Sequence, residues 1–312
     1  MELPRIFSYL GAATFGALLV RLAQEAYLYL RPSSLSRYRA PGKESWAFVT
    51  GASDGIGLGF AHELCRRGFN VFLHGRNPEK LLRVQEQLRT AYPTAQTKII
   101  VFDASNPSED MERIVREIGD AHLTVLINNV GGGTGVFQGS PYMRLQDYSH
   151  KQVQQLFNIN AVFMAQLTRL LLPILQKNAP GLIMNISSAA SVGMPWLTIY
   201  SGAKGFVNSF SNALAVEMRA EGQDIEVMDV IVGSVKTAAN DVEEGFFIPT
   251  GWTMASAALD RVGCGWLMAW GYWRHRVQGI GLDIFPLRFM QNMTISRLRE
   301  LHRVYEEKEK RK

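Results

Sequence analysis

Tyr200 and Lys204 stand four residues apart at the head of an apolar-patterned segment that continues through Gly205 and Phe206. On a helix this spacing puts both side chains on one face. A phenol, with an ordinary pKa of about 10, is a poor acid or base near neutrality, but an adjacent ammonium favours the phenolate and lowers that value. A tyrosine so tuned can pass a proton to and from a carbonyl oxygen. Two serines, Ser187 and Ser188, close the apolar run just upstream. Tyr-x-x-x-Lys alone is a common accident, so its weight depends on what the rest of the chain brings beside it.

The elements that must position this stretch begin at Trp46 to Thr50, an apolar run leading into Gly51-Ala52-Ser53-Asp54-Gly55-Ile56-Gly57. Leu58, Phe60, Ala61 and Leu64 then recur at helical spacing. Strand, glycine turn and helix together aim backbone N–H groups and a helix N-terminus at a phosphate. The order Gly-x-x-x-Gly-x-Gly departs from the Gly-x-Gly-x-x-Gly dinucleotide fingerprint. The same residues satisfy Gly-x-Ser-x-Gly, the nucleophile elbow of α/β-hydrolases, with Ser53 as nucleophile. Against that reading, only one strand precedes Ser53, whereas the hydrolase fold builds much of its sheet first.

Asn70 to His74 reads as a second strand ending in Gly75-Arg76-Asn77-Pro78, and Asn77 as cap with Pro78 at the first helical position starts a helix through about Thr90. The strand end has no carboxylate for a ribose 2′-hydroxyl. It has Arg76, a group suited to a 2′-phosphate, which favours NADPH over NADH. Lys98 to Phe102 is a third strand closed by Asp103, placed to accept from an adenine amino group. Leu123 to Ile127 is a fourth, followed by Asn128-Asn129-Val130-Gly131-Gly132-Gly133. One long helix from about Tyr148 to Gln176 carries Asn158 and Asn160 among apolar neighbours. A buried mid-helix asparagine is costly unless bonded, so at least one of them needs a designated partner. Gly181 to Ile186 is the fifth strand and Ile225 to Val232 the sixth. This alternation gives an α/β fold with a doubly wound, Rossmann-like parallel sheet, in which ligands bind beyond the carboxyl ends of the strands. The glycine turn, Arg76, Asp103, Asn129 and Ser188 all fall at that edge.

Composition narrows the partners. The chain has 312 residues, 47% hydrophobic and 20% charged, enough for one large α/β core with appendages. Much of the +5 net charge lies in Arg31 to Lys43 and in Lys308 to Lys312, so no basic stripe supports nucleic-acid binding. Cys65 and Cys264 give no disulfide framework or zinc site, and His62-Glu63 lacks the second histidine of a zincin. Asn185-Ile186-Ser187 and Asn292-Met293-Thr294 fit the glycosylation rule, but the first lies in the candidate site. A homo-oligomer is left open.

Ile6 to Val20 runs fifteen residues without a charge, Arg21 interrupts, and Leu22 to Leu30 resumes with only Glu25 charged. Such a segment can be a signal peptide, a membrane anchor or a helix lying on a surface. Positive residues are denser after it than before it, which puts the following domain in the cytosol. Residues 240–293 follow no regular α/β pattern. They are rich in aromatics, as in Phe246-Phe247 and Trp266 to Trp273, and suit a substrate lid, a membrane-facing lip or sheet-covering core. The expected organisation is a hydrophobic segment and basic connector (1–43), a dinucleotide-binding domain (44–240) and a lid or lip with a charged tail (241–312). Lys308 and Lys310 lie fifth and third from the end, the dilysine spacing of endoplasmic-reticulum retrieval signals; a solvated charge run reads the same.

Over roughly residues 44–240 the chain resembles the short-chain dehydrogenase/reductase family. The resemblance rests on Thr50-Gly51-x-x-x-Gly55-x-Gly57, Asn128-Asn129-x-Gly131, Asn160, Asn185-Ile186-Ser187-Ser188 and Tyr200-Ser201-Gly202-Ala203-Lys204. It implies Tyr200 as proton donor in a ketone reduction, with Lys204 lowering its pKa and binding the nicotinamide ribose. It further implies Ser188 on the substrate carbonyl, Asn160 anchoring a proton-relay water, and a cofactor held by Gly51, Ser53, Gly55, Ile56, Gly57, Arg76, Asp103, Asn129, Val235 and Thr237. Ser188 lies twelve residues before Tyr200, whereas the family's serine usually lies thirteen before, the position of Ser187. After the sixth strand the usual Pro-Gly is Val232-Gly233, which loosens the turn that leads to Val235 and Thr237. The hydrophobic leader, Leu197 to Phe206 and Gly271-Tyr272-Trp273-Arg274-His275 are similar to the membrane-bound very-long-chain 3-oxoacyl-CoA reductases and 17-beta-hydroxysteroid dehydrogenases of that family. The expectation is an NADPH-dependent reductase of an apolar ketone or acyl thioester on the endoplasmic-reticulum membrane. Oxidation of a secondary alcohol or steroid is the rival in direction, and a catalytically idle nucleotide-binding scaffold the rival in class.

Overall fold

The computed structural model describes residues 3–106, 110–132 and 142–310. Gly133 of the fourth-strand turn and Arg311 and Lys312 of the tail lie outside them. The elements run α1 (Leu3–Leu30), β1 (Trp46–Val49), α2 (Gly55–Arg66), β2 (Asn70–Gly75), α3 (Pro78–Ala91), β3 (Thr97–Val101), α4 (Glu112–Ile118) and β4 (Leu123–Asn128). There follow α5 (His150–Phe157), α6 (Phe163–Lys177), β5 (Gly181–Ile186), α7 (Thr198–Ala220) and β6 (Ile225–Ile231). The chain ends with α8 (Gly251–Leu259), β7 (Met268–Trp270), α9 (Trp273–Ile284) and α10 (Leu287–Lys310).

The seven strands form one sheet in the order β3-β2-β1-β4-β5-β6-β7, and every pairing is parallel. Strands such as Trp46–Val49 and Leu123–Asn128 are buried along their whole length, because helices cover both faces and leave no solvent side to alternate toward. One core layer joins Phe60, Leu64, Leu81 and Met254 to one face. The other joins Ile114, Leu167, Leu171, Leu214 and Met218 to the opposite face. Between β1 and β4 the strand order reverses, which opens a crevice at the carboxyl ends of the strands.

Asn77 caps α3 by accepting from the Lys80 N–H at 2.9 Å, with Pro78 inside the first turn. The expected long helix is present from His150 to Lys177 and widens in its middle. Ser149 forms a capping box with Gln152 to start α5, and residues 158–162 make a π-helical turn before α6. That turn widens the helix where Asn160 must reach a neighbouring loop.

The carboxyl-terminal third is more regular than its sequence announced. Thr250 caps α8, and α8 lies so close to α2 that a side chain on Gly59 would sit 2.6 Å from the Gly251 carbonyl oxygen. β7 adds a three-residue edge strand beside β6. Three residues are too few to show a period, so β7 is a product of tertiary pairing rather than of local pattern.

α1 is exposed along most of its length, with Phe7, Leu10, Phe15, Leu18 and Leu22 all more than half exposed. By length and composition it can cross a membrane, as can residues 150–177, but the latter stretch packs in the core. Among the described residues, the last turns of α1 meet the body of the protein. Leu28 is buried, Tyr29 Oη donates to the Trp270 carbonyl at 3.0 Å, and Glu25 pairs with Arg276 of α9 at 2.6 Å.

Candidate active site

A cleft of about 520 Å³ opens at the carboxyl ends of the strands. Of the residues picked from the sequence, Gly51, Ser53, Gly55, Ile56, Arg76, Asp103, Asn129, Ser188, Tyr200, Lys204, Val235 and Thr237 line it. Gly57 and Asn160 lie directly behind its wall. A Cβ on Gly57 would fall 2.0 Å from the Gly51 carbonyl oxygen and 2.6 Å from Asn129 Nδ2, so only glycine lets the turn close on the helix. Gly51, with φ of +66°, supplies the left-handed residue of the turn. This close-approached, amide-lined bend at a helix N-terminus fits a diphosphate.

Asn129 acts on the turn rather than on open space. Its Nδ2 donates to the Thr50 carbonyl at 3.0 Å and its backbone N–H to Thr50 Oγ1 at 2.7 Å. His74, fully buried at the end of β2, braces the same turn from below: its Nδ1 accepts from the Gly51 N–H at 3.3 Å. Burial holds its pKa down at about 3, so the ring is a neutral acceptor. Arg76 is exposed at the cleft edge. Asp103 is half-buried, its Oδ1 accepting from the backbone N–H and hydroxyl of Ser105 at 3.0 and 2.8 Å.

At the other end of the cleft, buried Asn160 is tied down through both atoms of its amide. Its Nδ2 donates to the carbonyls of Leu156 (2.9 Å) and Gly132 (3.0 Å), and its Oδ1 accepts from the Gly132 N–H at 2.8 Å. A Cβ on Gly131 would meet Asn160 Oδ1 at 2.7 Å and Lys204 Nζ at 3.2 Å, so this glycine is where the two side chains converge. Lys204 Nζ, buried, donates to the Ile186 carbonyl at 2.8 Å and lies 5.9 Å from the centre of the Tyr200 ring. Ser188 and Tyr200 line the cleft together, and the serine hydroxyl is near enough to the phenol to favour its ionised form. Ser187 also borders the cleft, but it is buried and its hydroxyl meets Asn208 of α7. Of the two serines, Ser188, twelve residues upstream of Tyr200, is the less buried.

The acid–base state of Tyr200 differs from the expectation. Burial raises its pKa above the usual phenol value, and Ser188 only partly opposes the rise. Desolvation of the phenol itself outweighs the influences that favour its ionised form. Burial also lowers the pKa of Lys204, to about 8, with the Asp229 carboxylate opposing that fall. Asp229, on β6 and 1% exposed, is in turn raised to about 7 by burial, against the attraction of Lys204.

The turn after β6 is held rather than loose. His275 of α9, fully buried, accepts from the Gly233 N–H through Nδ1 at 3.1 Å, and its Nε2 faces the carbonyls of Ser234 (3.1 Å) and Phe247 (3.2 Å). A histidine from a distant helix thus does the work that a proline would do locally. Val235 is buried, and a Cβ on Gly55 would touch Thr237 Cγ2 at 2.9 Å, so this turn closes directly over the glycine turn. His74, Asp229 and His275 were not picked out as site residues from the sequence, His275 entering only as the last residue of the Gly271-to-His275 motif.

The short chain dehydrogenase family model matches residues 45–244. The chain belongs to the short-chain dehydrogenase family. A very-long-chain 3-oxoacyl-CoA reductase of Anas platyrhynchos is 37% identical over 227 residues, 72% of this chain and 70% of that protein. One of Mycosarcoma maydis is 33% identical over 226 residues, 70% of this chain and 63% of that protein, so the chain spans about two thirds of these relatives' length. Among solved structures, a short-chain dehydrogenase from Sphingobium yanoikuyae in complex with NADPH superposes with a TM-score of 0.62 at 22% identity, covering 78% of this chain and 97% of that one. As a short-chain dehydrogenase, the protein is a nicotinamide-dependent oxidoreductase acting between CH–OH and C=O.

Proposed function

We propose that this short-chain dehydrogenase reduces the keto group of a long-chain 3-oxoacyl thioester, or a ketone of similar apolar character, with NADPH, and that it does so at the endoplasmic-reticulum membrane, facing the cytosol. The observation that carries the reading is the convergence of Ser188, Tyr200 and buried Lys204 in the same cleft as the glycine turn. The bound cofactor supplies a hydride to the carbonyl carbon. Ser188 orients the carbonyl oxygen, and Tyr200 delivers its proton there, so hydride and proton together make the secondary alcohol. A phenol kept protonated by burial starts a reduction as the proton donor. Lys204 steadies the charge on Tyr200 as the proton leaves, and Asn160 holds the wall through which it is replaced. Arg76 at the cleft edge suits the 2′-phosphate of NADPH. The NADPH complex of the Sphingobium enzyme and the reductase names of the relatives point the same way. The test is NADPH absorbance against a panel of 3-oxoacyl thioesters, steroids and polyketide-like ketones. Consumption is expected with long 3-oxoacyl chains, and a protein that binds NADPH yet consumes it with none of them is a scaffold.

Asp229→Asn is expected to change the pH profile. The carboxylate holds Lys204 charged, so its loss lets the lysine pKa fall below about 8. At pH 6, Asp229, with a pKa of about 7, is already protonated and the variant matches the wild type. At pH 8 the variant falls behind by up to about tenfold, since one pKa unit corresponds to a tenfold population change. Parallel kcat/KM profiles for the two proteins would contradict this.

Membrane attachment rests on α1. The side chains of α9 continue its apolar character, with Trp273, Val277, Ile280 and Ile284 at intervals of four, three and four and each at least 38% exposed. This stripe suits a membrane-facing lip. Because Glu25, Leu28 and Tyr29 pack on the body, a truncation that ends before Ala23 separates anchoring from folding. Removing residues 2–22 is expected to move the protein from the membrane pellet to the soluble fraction with its thermal midpoint retained. A full-length protein already soluble without detergent would remove the anchor.

A further inference from the structure

His275 and Arg276 are consecutive residues in the first turn of α9, and they hold two different parts of the molecule. His275 grips the turn after β6 from below, accepting from the Gly233 N–H at 3.1 Å and facing the Ser234 carbonyl at 3.1 Å. The fit leaves no slack, since a Cβ on Gly233 would lie 2.8 Å from the His275 ring. The gripped turn contributes Val232, Gly233, Val235 and Thr237 to the cleft wall. Arg276 points the other way, to α1. Its Nε and Nη2 meet Glu25 Oε1 at 3.0 and 2.6 Å, and both side chains are largely shielded, at 14% and 17% exposure. Tyr29, one turn further along α1, donates to the carbonyl of Trp270 in β7, whose ring covers Gly279 of α9 at 2.4 Å from an added Cβ.

We propose that His275 is a positioning residue for the cofactor-side turn, and that the Glu25–Arg276 pair makes its grip depend on the seating of α1. α9 is then a strut. With α1 docked, the Glu25 fork fixes the first turn of α9, and His275 holds Gly233, Val235 and Thr237 against the glycine turn. With α1 displaced, the first turn of α9 loses its ion pair and the cleft loses the rigid wall against which a nicotinamide would lie. Occupancy of the cofactor site is thereby coupled to correct placement of the apolar helix. The inference rests on the assignment of this turn to the nicotinamide end of the cleft, made under the proposed function.

The experiment measures the NADPH dissociation constant of the full-length protein in detergent by fluorescence, for wild type, Glu25→Gln, His275→Phe and the double variant. His275→Phe fills the same space but offers no acceptor to Gly233, and is expected to raise the constant about tenfold, as for two lost hydrogen bonds. Glu25→Gln, remote from the cleft, is expected to raise it about threefold. If Glu25 acts through His275, the double variant matches His275→Phe, because a second cut in one linkage adds nothing. Tyr29→Phe, a milder change at the same contact, takes the place of Glu25→Gln if that protein does not fold, with the same pattern expected. The proposal is overturned if the variants on α1 bind NADPH as the wild type does, or if the Glu25 and His275 effects multiply independently. Since binding needs no turnover, a protein that shows these shifts but reduces no carbonyl leaves the strut standing and removes the reductase reading. A wild type that binds no NADPH removes both.

Discussion

Tyr200→Phe is expected to lower kcat by about 10²–10⁴-fold, the range for removing a positioned general acid, while the NADPH dissociation constant stays within about twofold of the wild type. The split follows from where the hydroxyl sits. It lies beside Ser188 and Lys204, whereas the glycine turn and Arg76 line another part of the same cleft. The ring remains in phenylalanine, so packing around the half-buried side chain is kept and the loss is confined to the proton. Ser188→Ala should follow with a smaller fall in kcat, since it orients the carbonyl but carries no proton to it. Ser187→Ala should instead disturb the packing of α7 through Asn208 and lower thermal stability more than kcat. Steady-state kinetics with a binding titration on each variant separates these outcomes. A Ser187 variant inactive at full stability would exchange the two assignments.

Arg76→Leu is expected to raise the KM for NADPH by about 10–100-fold and to leave the KM for NADH nearly unmoved, the effect of losing one or two charge-assisted hydrogen bonds to a phosphate. The end of β2 carries no carboxylate: Asp103, on the next strand, is already engaged by Ser105. The variant removes the cation that Arg76 places at the cleft edge. Equal changes for both cofactors would mean that Arg76 supports the fold of the edge and does not read the phosphate.

Most of what positions this site was legible in the sequence for one reason. In a doubly wound sheet each buried strand is a continuous apolar run, so the polar residue that ends it stands out, as Gly51, Arg76, Asp103, Asn129 and Ser188 do. Asn77 and Pro78 were readable because a helix start is a local event. Three classes of feature were not. β7 owes its existence to pairing with β6, and its three residues carry no period. The π turn around Asn160 is set by the reach from α5 to Gly132, which no spacing rule reports. His74, Asp229 and His275 act through contacts 23 to 42 residues away in sequence for the two histidines, and through burial next to Lys204 for the acid. The tuning of Tyr200 failed in sign for a related cause. Sequence spacing brings the ammonium near but does not report the desolvation of the phenol, which is the larger effect.

The central claim is that this cleft delivers hydride and the Tyr200 proton to one carbonyl. A single-turnover reaction tests it, with NADPH deuterated at the transferring position of the nicotinamide and a long-chain 3-oxoacyl thioester. Deuterium is expected on the carbinol carbon of the product with the wild type, and none over the same interval with Tyr200→Phe. Label transferred at the wild-type rate by that variant, or NADPH bound by the wild type with no label reaching any ketone, would contradict it.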